Sequence, residues 1–208
     1  MRAMFEIGDD EEIAQEEPEI YELLNILLKG SMSMSELFEE YRKIRPGISA
    51  GDVSALVGRA EKLGFVTRRV ERKKKGRPRI MAELSEKGLG LCCGHSGAAR
   101  TGGELHTKLA RAYADMLRAQ GYAVIFPPQR GREEQPDMIA FKRTDDGWRK
   151  TAIEVEVRAD HPEQVLRNYE KNVRRGMDVI LVVPDEVVAE RVKRIIGEKQ
   201  GCRIEIVR

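Results

Sequence analysis

The chain has 208 residues, a length that suits two small domains or one domain of medium size. Hydrophobic residues make up 41% of it, and charged residues make up 35%, an excess over the usual quarter that is typical of heat-adapted proteins. The net charge is only +2, so the overall charge gives no reason to expect binding to a polyanion. The distribution of charge is more informative, because residues 6–22 are acidic whereas residues 68–79 are densely cationic.

The cysteines and the apolar segments bear on the compartment. Cys92, Cys93 and Cys202 are odd in number and two of them are adjacent, which excludes a disulfide framework and favours a reducing environment. The sequence starts without the pattern of a signal peptide and contains no apolar run long enough to cross a bilayer. These features predict a soluble cytoplasmic protein without a membrane partner.

The first ninety residues predict three helices. Residues 1–17 are acidic and lack periodicity, which indicates a tail or a short leading helix. Apolar residues then recur at the helical period in three successive stretches, each ending at a glycine or proline. The stretches begin at Pro18, at a capping Ser33 or Ser35, and at Ser49, and they end before Gly30, Pro46 and Gly64.

A basic β-hairpin and a linker follow the helices. Residues 65–70 and 79–84 have the composition of two strands, and the segment that joins them is basic and contains a Gly-Pro tip. Residues 89–103 are rich in glycine, alanine, serine and cysteine. We interpret residues 91–102 as a linker between a first domain at 18–90 and a second at 103–208.

The second domain predicts the order α-β-β-β-α-β-α-β, an α/β fold without internal repeats. Its first helix ends at Gly121, and the sequence Asp145-Asp146-Gly147 indicates a hairpin turn between the second and third strands. The predicted strands are residues 122–126, 137–141, 151–157, 177–183 and 202–207, and the later helices are residues 162–174 and 186–196.

The hairpin resembles the wing of MarR- and PadR-type transcription regulators. In those families a Gly-Arg-Pro tip leads into a strand and a Thr/Ser-Glu-Lys-Gly end, as do residues 75–79 and 84–88 here. Residues 49–66 also resemble the recognition helix of those families. The resemblance covers residues 18–90 and implies a winged helix-turn-helix that binds double-stranded DNA.

A recognition helix in the major groove presents polar side chains to base edges, and basic side chains of a wing neutralise phosphates or enter the minor groove. The predicted DNA-binding residues of the helix are Ser49, Ser54, Arg59 and Lys62. Those of the wing are Arg68, Arg69, Arg72, Lys73, Lys74, Lys75, Arg77 and Arg79. Asp52 would repel phosphate and is expected to face a base, an arginine or solvent. A solvated charged loop and a protein-binding wing remain alternatives.

Carboxylates in the second domain indicate metal chemistry. Glu154 and Glu156 are two residues apart on one predicted strand, so both are expected on the same face of the sheet, opposite Ile153, Val155 and Val157. Carboxylates on a core strand are costly unless they are paired or bound to a cation. Such oxygen ligands suit Mg²⁺ or Mn²⁺.

The second domain resembles the PD-(D/E)XK superfamily of restriction-endonuclease-like folds over residues 103–183. Asp137 matches the aspartate of the PD motif, Glu154 the acid of the second motif, and Glu104 an additional metal-binding glutamate of many members. Gln164 and Tyr169 resemble a Gln/Tyr pair of some members, and residues 153–172 resemble nuclease-type domains of archaeal mobile-element proteins. The family places lysine where this chain has Glu156, a substitution that some active members share.

The resemblance implies metal-assisted hydrolysis of phosphodiester bonds. Asp137, Glu154 and Glu104 would bind Mg²⁺ or Mn²⁺, Glu156 would accept a proton from water, and Gln164 would position the phosphate. Alternatively the fold is retained without catalysis, and the two strand glutamates pair with basic residues such as Arg158, Arg167 or Lys171.

Two other cofactors are not expected. Cys92, Cys93 and His95, with His106 or Cys202, have no standard spacing for zinc. No glycine-rich phosphate-binding loop indicates a nucleotide cofactor.

The sequence therefore predicts a Mg²⁺-dependent DNA endonuclease that a winged helix delivers to duplex DNA, as a homodimer by analogy with both families. The alternatives are a transcription regulator with an inactive second domain, and a DNA-architecture or mobile-element maintenance protein.

Overall fold

The computed structural model describes residues 17–72, 76–94, 103–128, 135–197, 199 and 201–207. The chain divides into two compact units, Met1–Cys92 and Cys93–Arg208, called here the N-terminal and C-terminal units. Each unit has its own sheet, and the two are treated separately below.

The N-terminal unit forms the predicted three helices and hairpin, which together make a winged helix. Its helices are α1 (Pro18–Leu27), α2 (Met34–Ile44), α3 (Ala50–Lys62) and α4 (Glu86–Cys93), and its strands are β1 (Met32–Ser33), β2 (Val66–Glu71) and β3 (Arg79–Leu84). The strands are antiparallel in the order β1-β3-β2. The strand β1 was not predicted, because two residues are too few to show an alternating pattern.

Helices α2 and α3 begin at reciprocal caps. The side chain of Ser33 accepts a hydrogen bond from the backbone of Glu36, whose carboxylate accepts one from the backbone of Ser33. Ser49 and Asp52 repeat this arrangement at α3. Capping boxes satisfy backbone donors that a helix start would otherwise leave free. Of the two predicted caps for α2, Ser33 is therefore the correct one.

The segment 85–88 packs on the turn that follows α3. Gly64 has a φ of +74°, as expected for the residue after a helix, and its carbonyl oxygen accepts a 2.6 Å hydrogen bond from the hydroxyl of Ser85. A Cβ atom on Gly88 would lie 2.1 Å from the carbonyl oxygen of Phe65. Ser85 and Gly88 are thus required by close contact between the start of α4 and the backbone of the turn that follows α3.

Apolar side chains from all three long helices of the N-terminal unit form its core. The hydroxyl of Tyr41 in α2 donates to the carbonyl oxygen of Glu19 in α1 across 3.2 Å, which joins the first two helices. The buried residues include Ile20, Leu23, Leu24, Leu37, Val53, Leu56, Val57, Phe65, Val66 and Ala82. The stripes that predicted the helices are therefore the faces that they bury.

Helix α4 continues through Cys93, into the first residues of the segment interpreted as a linker. Cys92 is fully buried, so residues 91–93 are part of a packed helix rather than a flexible connection. The remainder of the predicted linker, residues 95–102, lies outside the described residues, as do residues 1–16 of the predicted tail.

The C-terminal unit has the predicted order of elements around a mixed sheet. They are α5 (Gly103–Ala119), β4 (Ala123–Ile125), β5 (Met138–Thr144), β6 (Gly147–Val155), α6 (Pro162–Arg174), β7 (Asp178–Val183), α7 (Glu186–Ile196) and β8 (Cys202–Ile206). The sheet order is β4-β5-β6-β7-β8, antiparallel from β4 to β6 and parallel from β6 to β8. The α/β fold class and the mixed sheet are confirmed.

Helices cover both faces of this sheet. The side chains of α5 pack on one face and those of α6 and α7 on the other, in two separate clusters. The strand β7 contributes to both, because successive residues of a strand point to opposite faces. It supplies Ile180 and Val182 to the α5 side and Val179, Leu181 and Val183 to the α6–α7 side. Burial on both faces explains its uninterrupted apolar sequence.

Strand β6 ends at Val155, two residues earlier than predicted. The backbone N–H of Glu156 still donates to the carbonyl oxygen of Val182, at 2.8 Å. Glu156 therefore follows the strand directly, where the chain leaves the carboxyl end of the sheet.

None of the helices in the described part of the chain is long and apolar enough to span a membrane.

Candidate active site

A cleft of about 1150 Å³ opens at the carboxyl end of β6. The parallel strands β6 and β7 end there, next to the start of α5 and the start of α6. Such an edge of an open α/β sheet is a common place for ligand sites. The cleft is lined by all five residues that the sequence predicted for catalysis or metal binding, namely Glu104, Asp137, Glu154, Glu156 and Gln164.

Asp137 is held at the cleft wall from two sides. It precedes β5, and its Oδ2 atom accepts a 2.9 Å hydrogen bond from the backbone N–H of Val155. The same oxygen lies 3.0 Å from the Nε2 atom of His106 in α5. The orientation of this carboxylate is therefore set by both β6 and α5.

The sequence analysis missed His106 as a residue of this site and considered it only as a zinc ligand. The helix α5 buries Leu109, Ala110 and Tyr113, and His106 lies one turn before this stripe. One sequence signal could have identified His106: it continues the apolar face of the helix and lies two residues after Glu104.

Glu154 is buried at 5% exposure, on the face of the sheet that α6 covers. Its Oε1 atom accepts a 2.7 Å hydrogen bond from the Nδ2 atom of Asn172. Burial, and then the negative charge of Asp137, raise the pKa of the Glu154 carboxyl, and the hydrogen bond from Asn172 and the charge of Lys171 oppose them. Asn172 was not predicted, because an asparagine in a helix carries no distinctive sequence signal.

Glu156 is partly buried beside the same aspartate. Burial, and then the charge of Asp137, raise the pKa of Glu156 to about 7, and His106 opposes the rise. A carboxyl group with a pKa in this range can exchange protons near neutral pH, as a general base requires.

The remaining predicted residues occupy the rim of the cleft. Glu104 and Gln164 are exposed, and the Oε1 atom of Gln164 accepts a 3.3 Å hydrogen bond from Arg167. Tyr169 is 5% exposed and belongs to the core between α6 and α7, so it does not line the cleft beside Gln164.

The chemical character of the cleft fits a hard cation. Its acidic groups are carboxylates, which offer oxygen ligands of the kind that Mg²⁺ and Mn²⁺ prefer. In the described part of the chain, however, no three side chains of histidine, cysteine, aspartate or glutamate are close enough together to hold a metal ion.

The predicted DNA-binding residues of α3 differ in their surroundings. The hydroxyl of Ser49 accepts a hydrogen bond from the backbone N–H of Asp52 in the cap of α3. The hydroxyl and then the backbone N–H of Ser49 donate to the Asp52 carboxylate and lower the pKa of that carboxyl. Asp52 is therefore a capping residue. Ser54 and Lys62 are exposed, and Arg59 is exposed with its Nε atom 2.7 Å from a carboxylate oxygen of Glu17.

The predicted arginines of the wing lie on both of its faces. Arg68 pairs in register with the buried Ala82 and forms an ion pair with Glu61 of α3, so it faces that helix. Arg69 points to the opposite face and forms a 3.3 Å ion pair with Glu83. Arg72, Arg77 and Arg79 are exposed, and Lys73, Lys74 and Lys75 lie outside the described residues.

No protein-family model and no curated protein matches the chain. Among solved structures, PadR of Bacillus subtilis in complex with operator DNA is 22% identical over 34% of this chain and 42% of its own, with a TM-score of 0.30. The circadian clock associated protein Pex from Anabaena is 19% identical over 56% of this chain and 99% of its own, with a TM-score of 0.32.

The restriction endonuclease FokI bound to DNA is 10% identical over 97% of this chain and 44% of its own, with a TM-score of 0.31. The chain thus spans less than half the length of the PadR and FokI chains that it matches. With TM-scores of 0.30 to 0.32 these likenesses add nothing to the fold, which rests on the order of elements and the sheet topology described above.

Proposed function

We propose that the protein binds double-stranded DNA through its N-terminal unit and hydrolyses phosphodiester bonds of DNA in its C-terminal unit, with Mg²⁺ or Mn²⁺ as cofactor. One observation carries the proposal: five residues from three separate parts of the sequence, all predicted as catalytic or metal-binding, line one cleft at the carboxyl end of β6.

The DNA-binding part of the proposal rests on the winged helix and its charge. The helix α3 is capped at Ser49 and exposes Ser54 and Lys62, and the wing beside it carries exposed arginines. A helix of this size fits the major groove, and basic side chains on the hairpin match the phosphate backbone. We further propose that two copies bind together, because the two-fold symmetry of a dimer matches that of duplex DNA.

In the catalytic part of the proposal each residue of the cleft has a distinct role. Asp137 and Glu154 would hold the cation, with Glu104 approaching from the rim. The cation would polarise the scissile phosphate and acidify a water molecule. Glu156, with its pKa of about 7, accepts a proton from the attacking water, and Gln164 donates a hydrogen bond to the phosphate.

The experiment is a cleavage assay on supercoiled, linear, single-stranded and branched DNA with Mg²⁺ or Mn²⁺. We expect Asp137→Asn and Glu154→Gln each to lower the cleavage rate by about two orders of magnitude or more, since each removes a negative ligand. Asp145→Asn is the matched control, because Asp145 is an exposed acid in the β5–β6 turn. Salt-sensitive binding without cutting on any substrate would contradict the nuclease proposal.

A transcription regulator with an inactive C-terminal unit is the second candidate. It is favoured by the lack of a complete metal shell among the described acidic and histidine side chains, and by the pairing of Glu154 with a neutral amide. On this alternative the protein binds a defined DNA site and none of the cleft variants changes its behaviour on DNA.

A further inference from the structure

Three amide side chains follow one face of α6 at intervals of four residues: Gln164, Asn168 and Asn172. Residues with this spacing lie one above another on a helix. Gln164 and Asn168 line the cleft, and Asn172 contacts Glu154 at its inner end. This row, called here the amide stripe, therefore runs from the rim of the cleft to the buried carboxylate.

The two inner members of the amide stripe have buried oxygen atoms that lack a partner. Asn172 is fully buried, and it uses its Nδ2 atom to bind Glu154. Its Oδ1 atom, and the Oδ1 atom of Asn168, accept no hydrogen bond from any described residue. Buried polar atoms in folded proteins are nearly always paired, so two unpaired acceptors beside one cleft indicate a component that belongs there.

The chemistry of these atoms restricts what that component is. An amide oxygen accepts hydrogen bonds or ligates a cation, so its partner is a hydrogen-bond donor or a positive ion. The oxygens of a phosphodiester are acceptors and cannot pair with it. A water molecule is small enough to reach a buried atom, and a water bound to a divalent cation is a strong donor because the cation polarises its O–H bonds. Magnesium and manganese sites commonly retain such waters.

We propose that Asn168 and Asn172 are positioning residues of the cation site, a role that rests on the proposed function of the cleft. Asn172 holds one oxygen of Glu154 and leaves the other for the cation. The Oδ1 atom of Asn168, which lines the cleft, accepts a hydrogen bond from a water molecule bound to the cation. The cleft thus binds a hydrated cation, with carboxylates as direct ligands and the amide stripe as the support of its water shell.

The test measures binding of Mn²⁺ to the full chain, by electron paramagnetic resonance of the free ion. Asn168→Leu keeps the size of the side chain but removes the acceptor, and we expect it to raise the Kd for Mn²⁺ by about 10-fold to 100-fold. Asn168→Asp keeps an acceptor, and we expect its Kd to equal or fall below that of the wild type. Asn172→Ala is expected to weaken binding like Asn168→Leu.

Val173→Ala is the matched control, because Val173 is the exposed neighbour of Asn172 and lies outside the cleft. It should leave the Kd for Mn²⁺ unchanged. Circular dichroism separates loss of binding from loss of folding, and Asn168, which is only half-buried, keeps the test decisive if Asn172→Ala fails to fold.

Three results would overturn the inference, two of which leave the proposed function standing. If the wild type binds Mn²⁺ and Asn168→Leu binds it equally well, or if Asn168→Asp is as weak as Asn168→Leu, the amide stripe does not support the water shell, while the proposed function stands. If the wild type itself binds no Mn²⁺, the proposed cation site fails and this inference fails with it.

Discussion

Glu154 and Glu156 differ from ordinary surface carboxyls because the protein holds them where their negative charge is poorly solvated. Burial and the neighbouring charge of Asp137 raise the pKa of both groups above the usual value of 4.5. Such a rise means that the folded protein binds protons more tightly than the unfolded chain does. Their contribution to stability is fully present below pH 4.5 and is lost as the pH rises through the folded-state pKa, which is about 7 for Glu156.

We therefore predict that the metal-free protein loses thermal stability between about pH 5 and about pH 8, and that Glu154→Gln loses less. The amide is neutral and still accepts the hydrogen bond from Asn172. At about pH 8 the Tm of Glu154→Gln should exceed that of the wild type by several degrees, corresponding to about 1 kcal/mol or more. Added Mn²⁺ should raise the Tm of the wild type more than that of the variant. Parallel pH profiles of the two proteins would contradict the prediction.

At the scale of single elements, the side chain of Ser49 caps helix α3, although the sequence predicted that it contacts DNA. Ser49 and Asp52 exchange hydrogen bonds that close the first turn of α3. The exposed surface of α3 is therefore presented by residues after the cap. Ser54 and Lys62 remain the predicted contacts to base edges, together with Arg59, whose ion pair with Glu17 is exposed.

We predict that Ser49→Ala destabilises the N-terminal unit by about 1 kcal/mol, because it removes the cap of α3. Asp52→Ala should also destabilise the unit, and the double variant should be less destabilised than the sum of the two single variants, since both residues form one capping box. Calorimetry of the full chain measures these differences, and Ser49→Asp, which can still cap the helix, is the control. An unchanged Tm with an altered DNA preference would show that Ser49 contacts bases instead.

At the scale of the whole molecule, the chain joins two units that each have a core and a sheet of their own. The proposed DNA-binding surface lies entirely in the N-terminal unit, and the cleft lies entirely in the C-terminal unit. Binding of DNA and binding of the cation should therefore be separable by substitutions in one unit at a time.

We predict that Arg77→Ala weakens DNA binding and lowers the slope of log affinity against log salt concentration by about one, because it removes one phosphate contact. Its Kd for Mn²⁺ should be unchanged. Glu154→Gln should show the reverse pattern, with normal DNA binding and weak Mn²⁺ binding. Fluorescence anisotropy over a salt series measures the affinity for DNA and its dependence on salt. Lys150→Ala, which removes another exposed cation, is the control. If both variants impaired DNA binding equally, the two units would share one DNA site.

Local sequence determined most of the architecture, because the signals for helices, caps and turns depend on residues close together in the chain. The apolar stripes of α1 to α3, the cap at Ser49 and the turn at Gly64 were all predicted in this way. The acids Asp137 and Glu154 were found through resemblance to a family, and the alternation of β6 placed Glu154 away from the apolar face of Ile153.

Contacts between distant elements were decided only by the tertiary structure. His106 and Asp137 are 31 residues apart, and Asn172 is 18 residues from Glu154, so no local pattern relates the members of either pair. The end of α4 was also decided by packing. Its glycines and cysteines suggested a linker, but Cys92 is buried and the helix continues to Cys93. Local sequence determines which element each residue joins, whereas packing of the sheet against its helices determines which side chains meet in the cleft.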